Sequence, residues 1–253
     1  MTEPVGTYVF LCASAFVAGV MNAVAGGGTL LTFPALTSIM PAAFANGTST
    51  VALLPGSFAG ALGYRKELSE SRRFVLRMLA PSLAGGFLGA WLVGKDTQTF
   101  AVLVPWLILT AAVLFLIQQP VARWLRKRRP DREPGALAQV GLIGFQFLVA
   151  VYGGYFGAGI GILMLAALGF MGVGDIHRMN AVKTILAATI NTASVVEFVR
   201  VGLVDWHYAG VMAASAIAGG YVGARVALRL PQPVVRWTAT AIGFGLALYY
   251  FVT

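Results

Sequence analysis

The sequence AGGFLGA at residues 84–90 recurs as AGGYVGA at residues 218–224, 134 positions further along the chain. An offset of 132 aligns AGGGTLL at residues 25–31 with GAGIGIL at residues 157–163. Self-similarity at a nearly constant offset is the signature of a duplicated structural unit. The sequence therefore predicts two homologous halves.

The composition places both halves in a membrane. The chain has 253 residues, of which 58% are hydrophobic and only 11% are charged, and its mean hydropathy is +0.80. These values lie far from those of a water-soluble domain, so soluble enzymes are excluded as a class. The net charge is +9, but the basic residues lie in gaps between apolar runs. That distribution does not form the basic face of a nucleic-acid binder, and the lipid bilayer is the expected partner.

Glycine-rich and polar breaks divide each half into five apolar segments, one of them short. An upright helix needs about 20 apolar residues to cross the bilayer. The predicted segments are residues 5–24, 29–40, 48–64, 78–94, 97–121, 137–154, 160–171, 179–199, 206–224 and 234–252. The predicted fold class is all-α, a polytopic membrane protein with about 8–10 transmembrane segments, in which the two short segments are broken or re-entrant helices.

Basic residues mark the two sides of the membrane. Residues 65–77 and 123–132 hold eleven of the 18 basic residues, and by the positive-inside rule both loops are predicted to be cytoplasmic. In the second half the basic residues move to the opposite ends of the segments, which favours an inverted-topology repeat. A parallel repeat with fewer crossings is the alternative. The predicted division is a first membrane repeat at residues 1–122, a basic cytoplasmic linker at 123–134, and a second membrane repeat at 135–253.

Pairs of glycines four residues apart predict close packing between helices, because a missing side chain lets two backbones approach. These pairs are Gly56 and Gly60, Gly85 and Gly89, and Gly219 and Gly223.

Each half has a glycine-rich break just before its short helix, at residues 22–29 and 153–161. Irregular backbone at membrane depth is tolerated only where it is buried in protein or lines a cavity. A helix that begins there offers N–H groups and the positive end of its dipole to an anion. We expect the two breaks to face one substrate path, with tight turning as the alternative. The candidate substrate-binding residues here are Asn22, Gly26, Gly27, Gly28, Thr29, Gly157, Gly159 and Gly161.

Lys183 lies inside the otherwise apolar segment 179–199. An ionisable group at membrane depth is a functional candidate by default, and a fixed positive charge there would select anions. The alternative is that its aliphatic stem lets the amine reach the interface. Neutral hydrogen-bonding residues accompany it. The further candidates are Asn180, Thr184 and Asn191 near Lys183, Asn46 and Thr50 at the matching first-half positions, and Arg225, which either contacts the substrate or marks the membrane edge.

No reactive constellation is present in the sequence. Cys12 is the sole cysteine, and the two histidines, His177 and His207, lack a carboxylate or cysteine at metal-ligand spacing. No metal site, cofactor or catalytic residue is predicted, and the chain is not expected to be an enzyme.

Four blocks together resemble the TauE/SafE sulfite exporter family, also called the toluene sulfonate uptake permeases. They are NAVAGGGTLLTFP at residues 22–34, GGYFGAGIG at 153–161, MNAVKT at 179–184 and GLVDW at 202–206. The resemblance covers nearly the whole chain. It implies a multi-pass transporter in the bacterial inner membrane that moves small anions, often sulfite, sulfonates or related organosulfur compounds. With the duplicated broken helices, it favours a secondary carrier; a passive anion channel is the alternative. Either a monomer or a homodimer is compatible with the sequence.

Overall fold

The structure, a computed structural model, describes residues 4–24, 27–127, 136–170, 176–226 and 232–252, and within these ranges the ordered elements are helices. They are α1 (Val5–Val24), α2 (Thr29–Thr37), α3 (Ala42–Gly63), α4 (Arg65–Glu70), α5 (Arg72–Lys95), α6 (Thr97–Lys127), α7 (Ala136–Tyr155), α8 (Ile160–Phe170), α9 (Ile176–Arg200), α10 (Trp206–Val226) and α11 (Gln232–Val252). The predicted all-α class is confirmed.

Helix lengths in the described ranges fit a membrane protein with two additional short helices. Eight helices have between 20 and 31 residues, which at about 1.5 Å per residue matches a hydrocarbon core of about 30 Å. Four of them are also apolar enough to qualify as spans by composition, at Val5–Ala23, Arg72–Lys95, Thr97–Ile117 and Arg178–Arg200. Helices α2 and α8 have only 9 and 11 residues.

Three helix boundaries lie well outside the sequence prediction, because helices continue where apolar runs end. Helix α3 begins at Ala42, ahead of the predicted start at 48. Helix α5 begins at Arg72, ahead of the predicted apolar start at 78, and α6 continues to Lys127, inside the predicted linker. A helix satisfies its own backbone hydrogen bonds, so it can extend beyond the bilayer with charged side chains. Helix α4 was not predicted, since its sequence RKELSE carries no apolar run. Linker residues 128–134 lie outside the described residues.

Helices of each half pack against helices of the other half. In the first half α1 and α3 both pack against α10 of the second half. Their second-half equivalents, α7 and α9, both pack against α5 of the first half. The equivalent helices α3 and α9 run antiparallel, because the start of α3 at Gly47 approaches Phe198 near the end of α9, while Gly60 approaches Thr184. This arrangement is compatible with an inverted repeat, in which equivalent helices run in opposite directions.

Glycines allow the helices of the two halves to touch backbone to backbone. A Cβ placed on Gly219 would lie 2.0 Å from the carbonyl oxygen of Phe16, and one placed on Gly89 would lie 2.2 Å from that of Val151. Such contacts leave no room for any side chain, so the predicted close packing is confirmed at these positions. Gly60 is different, because its nearest neighbour would be a Thr184 methyl carbon at 3.9 Å.

An aromatic core holds the two helix breaks in place. Phe33 of α2 packs edge-to-face on Phe156, which follows α7, with 5.2 Å between ring centroids. Phe100 of α6 contacts both rings, and all three side chains are at most 2% exposed. Because edge-to-face aromatic pairs constrain orientation as well as distance, this cluster anchors the short helix of one half to the break of the other.

Candidate functional site

Each glycine break has a glycine with a positive φ angle at an equivalent position. Gly27 and Gly159 occupy equivalent positions at the offset of 132, and their φ angles are +96° and +80°. Residues other than glycine rarely adopt this backbone conformation. Glycine is therefore required at both positions for the chain to turn into the next short helix. The tight-turn interpretation of these glycines is therefore correct at the level of the backbone.

The breaks also meet each other. A Cβ on Gly27 would lie 3.4 Å from the backbone nitrogen of Gly159, and a Cβ on Gly157 would lie 3.7 Å from Oγ1 of Thr29. Since Thr29 opens α2 and Ile160 opens α8, the N-terminal ends of both short helices lie at one place in the molecule. The tertiary structure thus combines tight turning with convergence of the two breaks, which the sequence left as alternatives.

A cavity of about 40 Å³ lies where the breaks converge. This is several times the volume of about 10–15 Å³ that one water molecule needs. Residues from both breaks, from α3 and from α9 form its wall. They are Asn22, Ala23, Gly27, Thr29, Gly56, Ser57, Gly60, Gly157, Ile160, Gly161, Lys183, Thr184, Ala187 and Asn191.

Lys183 is the charged group of this wall. Its side chain is 2% exposed, and its Nζ has no hydrogen-bond partner among the described residues. The side chain therefore does not reach the interface, contrary to the alternative drawn from sequence. Burying an unpaired ammonium group is costly. We therefore expect Lys183 to pair with another group during part of the protein's working cycle.

Three other polar residues of the wall differ in what they can still bind. The Asn22 Oδ1 accepts a hydrogen bond from the backbone nitrogen of Gly28 at 2.7 Å, which leaves the Nδ2 group as a donor. The hydroxyls of Ser57 and Thr184 instead donate to carbonyl oxygens of their own helices, at Leu53 and Asn180. The amide of Asn22 is thus left as a donor for an anion, whereas the Ser57 and Thr184 hydroxyl groups donate within their own helices.

Glu197, the acidic residue on the same helix, does not neutralise the charge of Lys183. Glu197 lies further along α9 and is fully buried, and both of its carboxylate oxygens accept hydrogen bonds at 2.6 Å from the guanidinium of Arg200. This bidentate pair accounts for the charge of Glu197.

The structure brings together more than half of the residues predicted to bind substrate. Those that line the cavity are Asn22, Gly27, Thr29, Gly157, Gly161, Lys183, Thr184 and Asn191. Gly28 and Gly159 belong to the breaks but not to the cavity wall, and Asn46, Thr50 and Asn180 do not line it either. Gly26 lies outside the described residues; Arg225 lies on α10, with its side chain outside them.

Asn46 has a contact that its sequence position did not predict. Its Nδ2 group donates a hydrogen bond to the carbonyl oxygen of Tyr155 at 3.0 Å, where α7 ends. The last carbonyl groups of a helix lack partners within the helix. Asn46 of the first half therefore caps the second-half helix at its break, which is a positioning contact between the halves.

Six wall residues were missed by the sequence analysis: Ala23, Gly56, Ser57, Gly60, Ile160 and Ala187. Ser57 had a usable signal, because the offset of 134 matches it to Asn191, which was a candidate. Gly60 was assigned to helix packing, and its role in the wall became visible only from the space beside it.

Eight long helices, two short helices that begin at meeting breaks, and a buried cationic cavity define a polytopic membrane transporter. The sequence profile of the sulfite exporter TauE/SafE family matches residues 11–250, and the chain belongs to this family.

Relatives with assigned names carry the same general description. The chain is 29% identical over 232 residues to a probable membrane transporter protein of Haemophilus influenzae, covering 90% of this chain and 88% of the relative. It is 29% identical over 226 residues to the probable membrane transporter protein YfcA of Escherichia coli K12, covering 88% and 81%. A probable membrane transporter protein, ORF9, of a Sinorhizobium species is 28% identical over 242 residues, covering 94% and 90%. No solved structure matches the chain.

Proposed function

We propose that this protein is a secondary carrier of small anions, with sulfite, sulfonates or related organosulfur anions as substrates. The observation that carries the proposal is Lys183, which lines the cavity and is 2% exposed, and whose Nζ has no hydrogen-bond partner among the described residues. A bound anion would supply the missing charge and accept hydrogen bonds from the ammonium group. Charge-assisted hydrogen bonds of this kind are the strong ones in proteins.

The remaining geometry supports an anion rather than a cation. The short helices α2 and α8 both begin at the cavity, so the positive ends of their dipoles point toward it. Asn22 adds an amide donor. In the described part of the wall, no acidic side chain is present to coordinate or attract a cation.

A carrier is favoured over a passive channel by the size and position of the cavity. The cavity of about 40 Å³ is small and Lys183 in its wall is 2% exposed, which favours a binding site over an open pore. The breaks that line it belong to different halves, so movement of one half against the other would open and close it. Alternating access of this kind is the usual mechanism of repeats built around a central site.

The proposed location is the bacterial inner membrane, with the basic segments at 65–77 and 123–132 in the cytoplasm. The support is the concentration of basic residues in these two loops. The proposed partners are the lipid bilayer and the anionic substrate.

Counterflow of radiolabelled sulfite in proteoliposomes tests the proposal. Wild-type protein is expected to show saturable exchange, and Lys183→Gln to lower the exchange rate at limiting substrate by about 10-fold or more, because hydrogen bonds to a charged group contribute about 1.5–3 kcal/mol. Lys66→Gln is the matched control, since Lys66 is an exposed lysine of α4. Exchange in the wild type that does not saturate would identify a channel. Unchanged sulfite affinity and rate in folded Lys183→Gln would remove Lys183 from the path.

A further inference from the structure

The antiparallel helices α3 and α9, which both line the cavity, are sealed where α3 begins. A Cβ on Gly47 would lie 2.1 Å from the carbonyl oxygen of Leu203, in the turn that follows α9. Beside it, Oγ1 of Thr48 accepts a hydrogen bond of 3.0 Å from the backbone nitrogen of Asp205. Backbone contacts as close as these leave no passage between the two halves.

The opposite end of the same helix pair is packed loosely. A Cβ on Gly60 would meet one described atom within 4 Å, the methyl carbon of Thr184 at 3.9 Å. Gly60 and Thr184 both line the cavity, as does Lys183. The cavity therefore reaches this end of the pair, where the helix contact leaves space rather than a seal.

An ion pair joins the two halves beyond the loose end. The carboxylate of Glu70, at the end of α4, accepts a hydrogen bond from the guanidinium of Arg178, near the start of α9. Arg178 precedes Lys183 by five residues, which is about 7.5 Å along the helix axis. The two side chains of the pair are 41% and 42% exposed. Water screens such an exposed pair, so this contact breaks and re-forms far more easily than the backbone packing at the sealed end.

The two ends are equivalent in the repeat. At the offset of 134, Thr48 and Asp205 match Val182 and Ser71, which are the chain neighbours of Lys183 and Glu70. One end is thus closed by backbone contacts and the equivalent end by a side-chain pair. Equivalent ends of an inverted repeat open in turn during alternating access. We therefore expect the end with the weaker contact to open from the state described here.

We propose that the Glu70–Arg178 ion pair is the gate of the cavity. It holds the start of α9 against α4 while the cavity is closed, and it breaks when the substrate enters or leaves at this end. The inference rests on the proposed function for what passes the gate, whereas the gate itself is defined by contacts between the halves. Because Glu70 belongs to the basic segment 65–77, the gate is assigned to the cytoplasmic side.

Alkylation of a thiol in the cavity measures how often the gate is open. Gly60→Cys is combined with Cys12→Ala, which removes the sole native cysteine, and its reaction rate with N-ethylmaleimide is followed in detergent-solubilised protein. Position 60 accepts a Cβ at an ordinary van der Waals distance from its neighbour. Adding Glu70→Gln or Arg178→Gln is expected to raise the rate by about 2- to 5-fold, the population shift that corresponds to loss of an exposed ion pair.

The matched control is Glu67→Gln, which removes the same charge from the same helix. Glu67 forms no ion pair among the described residues, so this variant is expected to leave the alkylation rate unchanged. The double variant Glu70→Arg with Arg178→Glu exchanges the two charges and keeps the pair. It is expected to return the rate to that of the parent protein.

A covalent link across the gate tests its role in transport. Glu70→Cys and Arg178→Cys, in Cys12→Ala, are joined by a reducible bis-methanethiosulfonate cross-linker. Counterflow of radiolabelled sulfite is then measured in proteoliposomes before and after reduction. Cross-linking is expected to lower the exchange rate by about 10-fold or more, and reduction to restore it, because a gate that cannot open blocks every turnover. Arg178→Cys alone, treated in the same way, is the control for the reagent.

Three results would overturn the inference while leaving the proposed function standing. They are unchanged alkylation in both glutamine variants of the pair, equal acceleration in Glu67→Gln, and undiminished exchange in the cross-linked protein. A protein that exchanges neither sulfite nor any other small anion would instead overturn the proposed function. The alkylation rates would then still decide whether the ion pair closes the cavity.

Discussion

The two helix breaks share a positive-φ glycine at equivalent positions but differ in their side-chain partners. In the first half, Ser49 shares a hydrogen bond of 2.6 Å with Thr32 of the short helix α2, and both side chains are fully buried. At the offset of 134, the second-half residue equivalent to Ser49 is Lys183, whose Nζ is unpartnered among the described residues. At this position the first-half residue is paired, whereas the second-half residue is a buried cation without a partner among the described residues. The two halves therefore share a position but differ in the group that it holds.

The largest expected difference between the breaks concerns their positive-φ glycines. A Cβ on Gly27 would lie 2.4 Å from Cζ of the buried Phe115, whereas a Cβ on Gly159 would meet Cδ1 of Leu114 at 3.3 Å. Gly27→Ala is expected to lower the free energy of unfolding by about 2–4 kcal/mol and Gly159→Ala by about 1–2 kcal/mol. Both substitutions strain the backbone, but only Gly27→Ala also forces the ring of Phe115 to move. Denaturant unfolding in detergent micelles measures both.

Gly245→Ala is the control for those two variants, because Gly245 is exposed on α11 and a Cβ there would meet nothing within 4 Å. It is expected to leave the free energy of unfolding unchanged or slightly higher. Equal losses at Gly27 and Gly159 would contradict the proposed difference between the breaks.

The next effect separates stability from transport. Lys183→Met removes a buried, unpartnered amine, so it is expected to raise the free energy of unfolding by about 1–3 kcal/mol while abolishing anion exchange. Ser49→Ala breaks the hydrogen bond to Thr32 at the equivalent position. It is expected to lower the free energy of unfolding by about 1 kcal/mol and to leave exchange nearly unchanged. Unfolding and counterflow are measured on the same preparations, and a destabilised Lys183→Met would show that the amine has a structural partner.

The smallest effect concerns the side chains that brace each break. Asn22 accepts the N–H of Gly28, while in the second half the hydroxyl of Tyr152 donates to the carbonyl oxygen of Ala158 at 2.7 Å. Asn22→Ala and Tyr152→Phe are each expected to lower the free energy of unfolding by about 1 kcal/mol. Only Asn22→Ala is expected to raise the KM for the transported anion, because Asn22 lines the cavity and Tyr152 does not. An equal rise of KM in Tyr152→Phe would mean that break geometry, not contact with the substrate, controls binding.

Much of the fold follows from local sequence properties. The predicted boundaries of α1 match the structure, and the short segments predicted from residues 29 and 160 begin at those residues. Apolar runs and glycine breaks are local features, so they can be read without knowing what packs where. Helix α4 and the early start of α5 were missed because charged residues can be helical outside the bilayer.

The candidate site was only partly predictable. Lys183 and the breaks could be selected because a charge or irregular backbone is costly at membrane depth. Asn46 was selected by its match to Asn180, yet its amide contacts the end of α7. Gly60 was read as a packing residue because its spacing from Gly56 is the packing pattern, and spacing does not reveal which partner helix lies opposite.

The sequence by itself determined the duplication, the helical segments, the positions of the breaks and the presence of one charge in an apolar helix. Only the tertiary structure decided that the two breaks touch, that Lys183 faces the cavity they form, and that Ser57 and Gly60 complete its wall. The physical reason is that helical periodicity places residues on a face but does not specify what packs against that face. Here the opposing residues come from the other half of the chain, more than 100 residues away, and the folded packing alone brings them into contact.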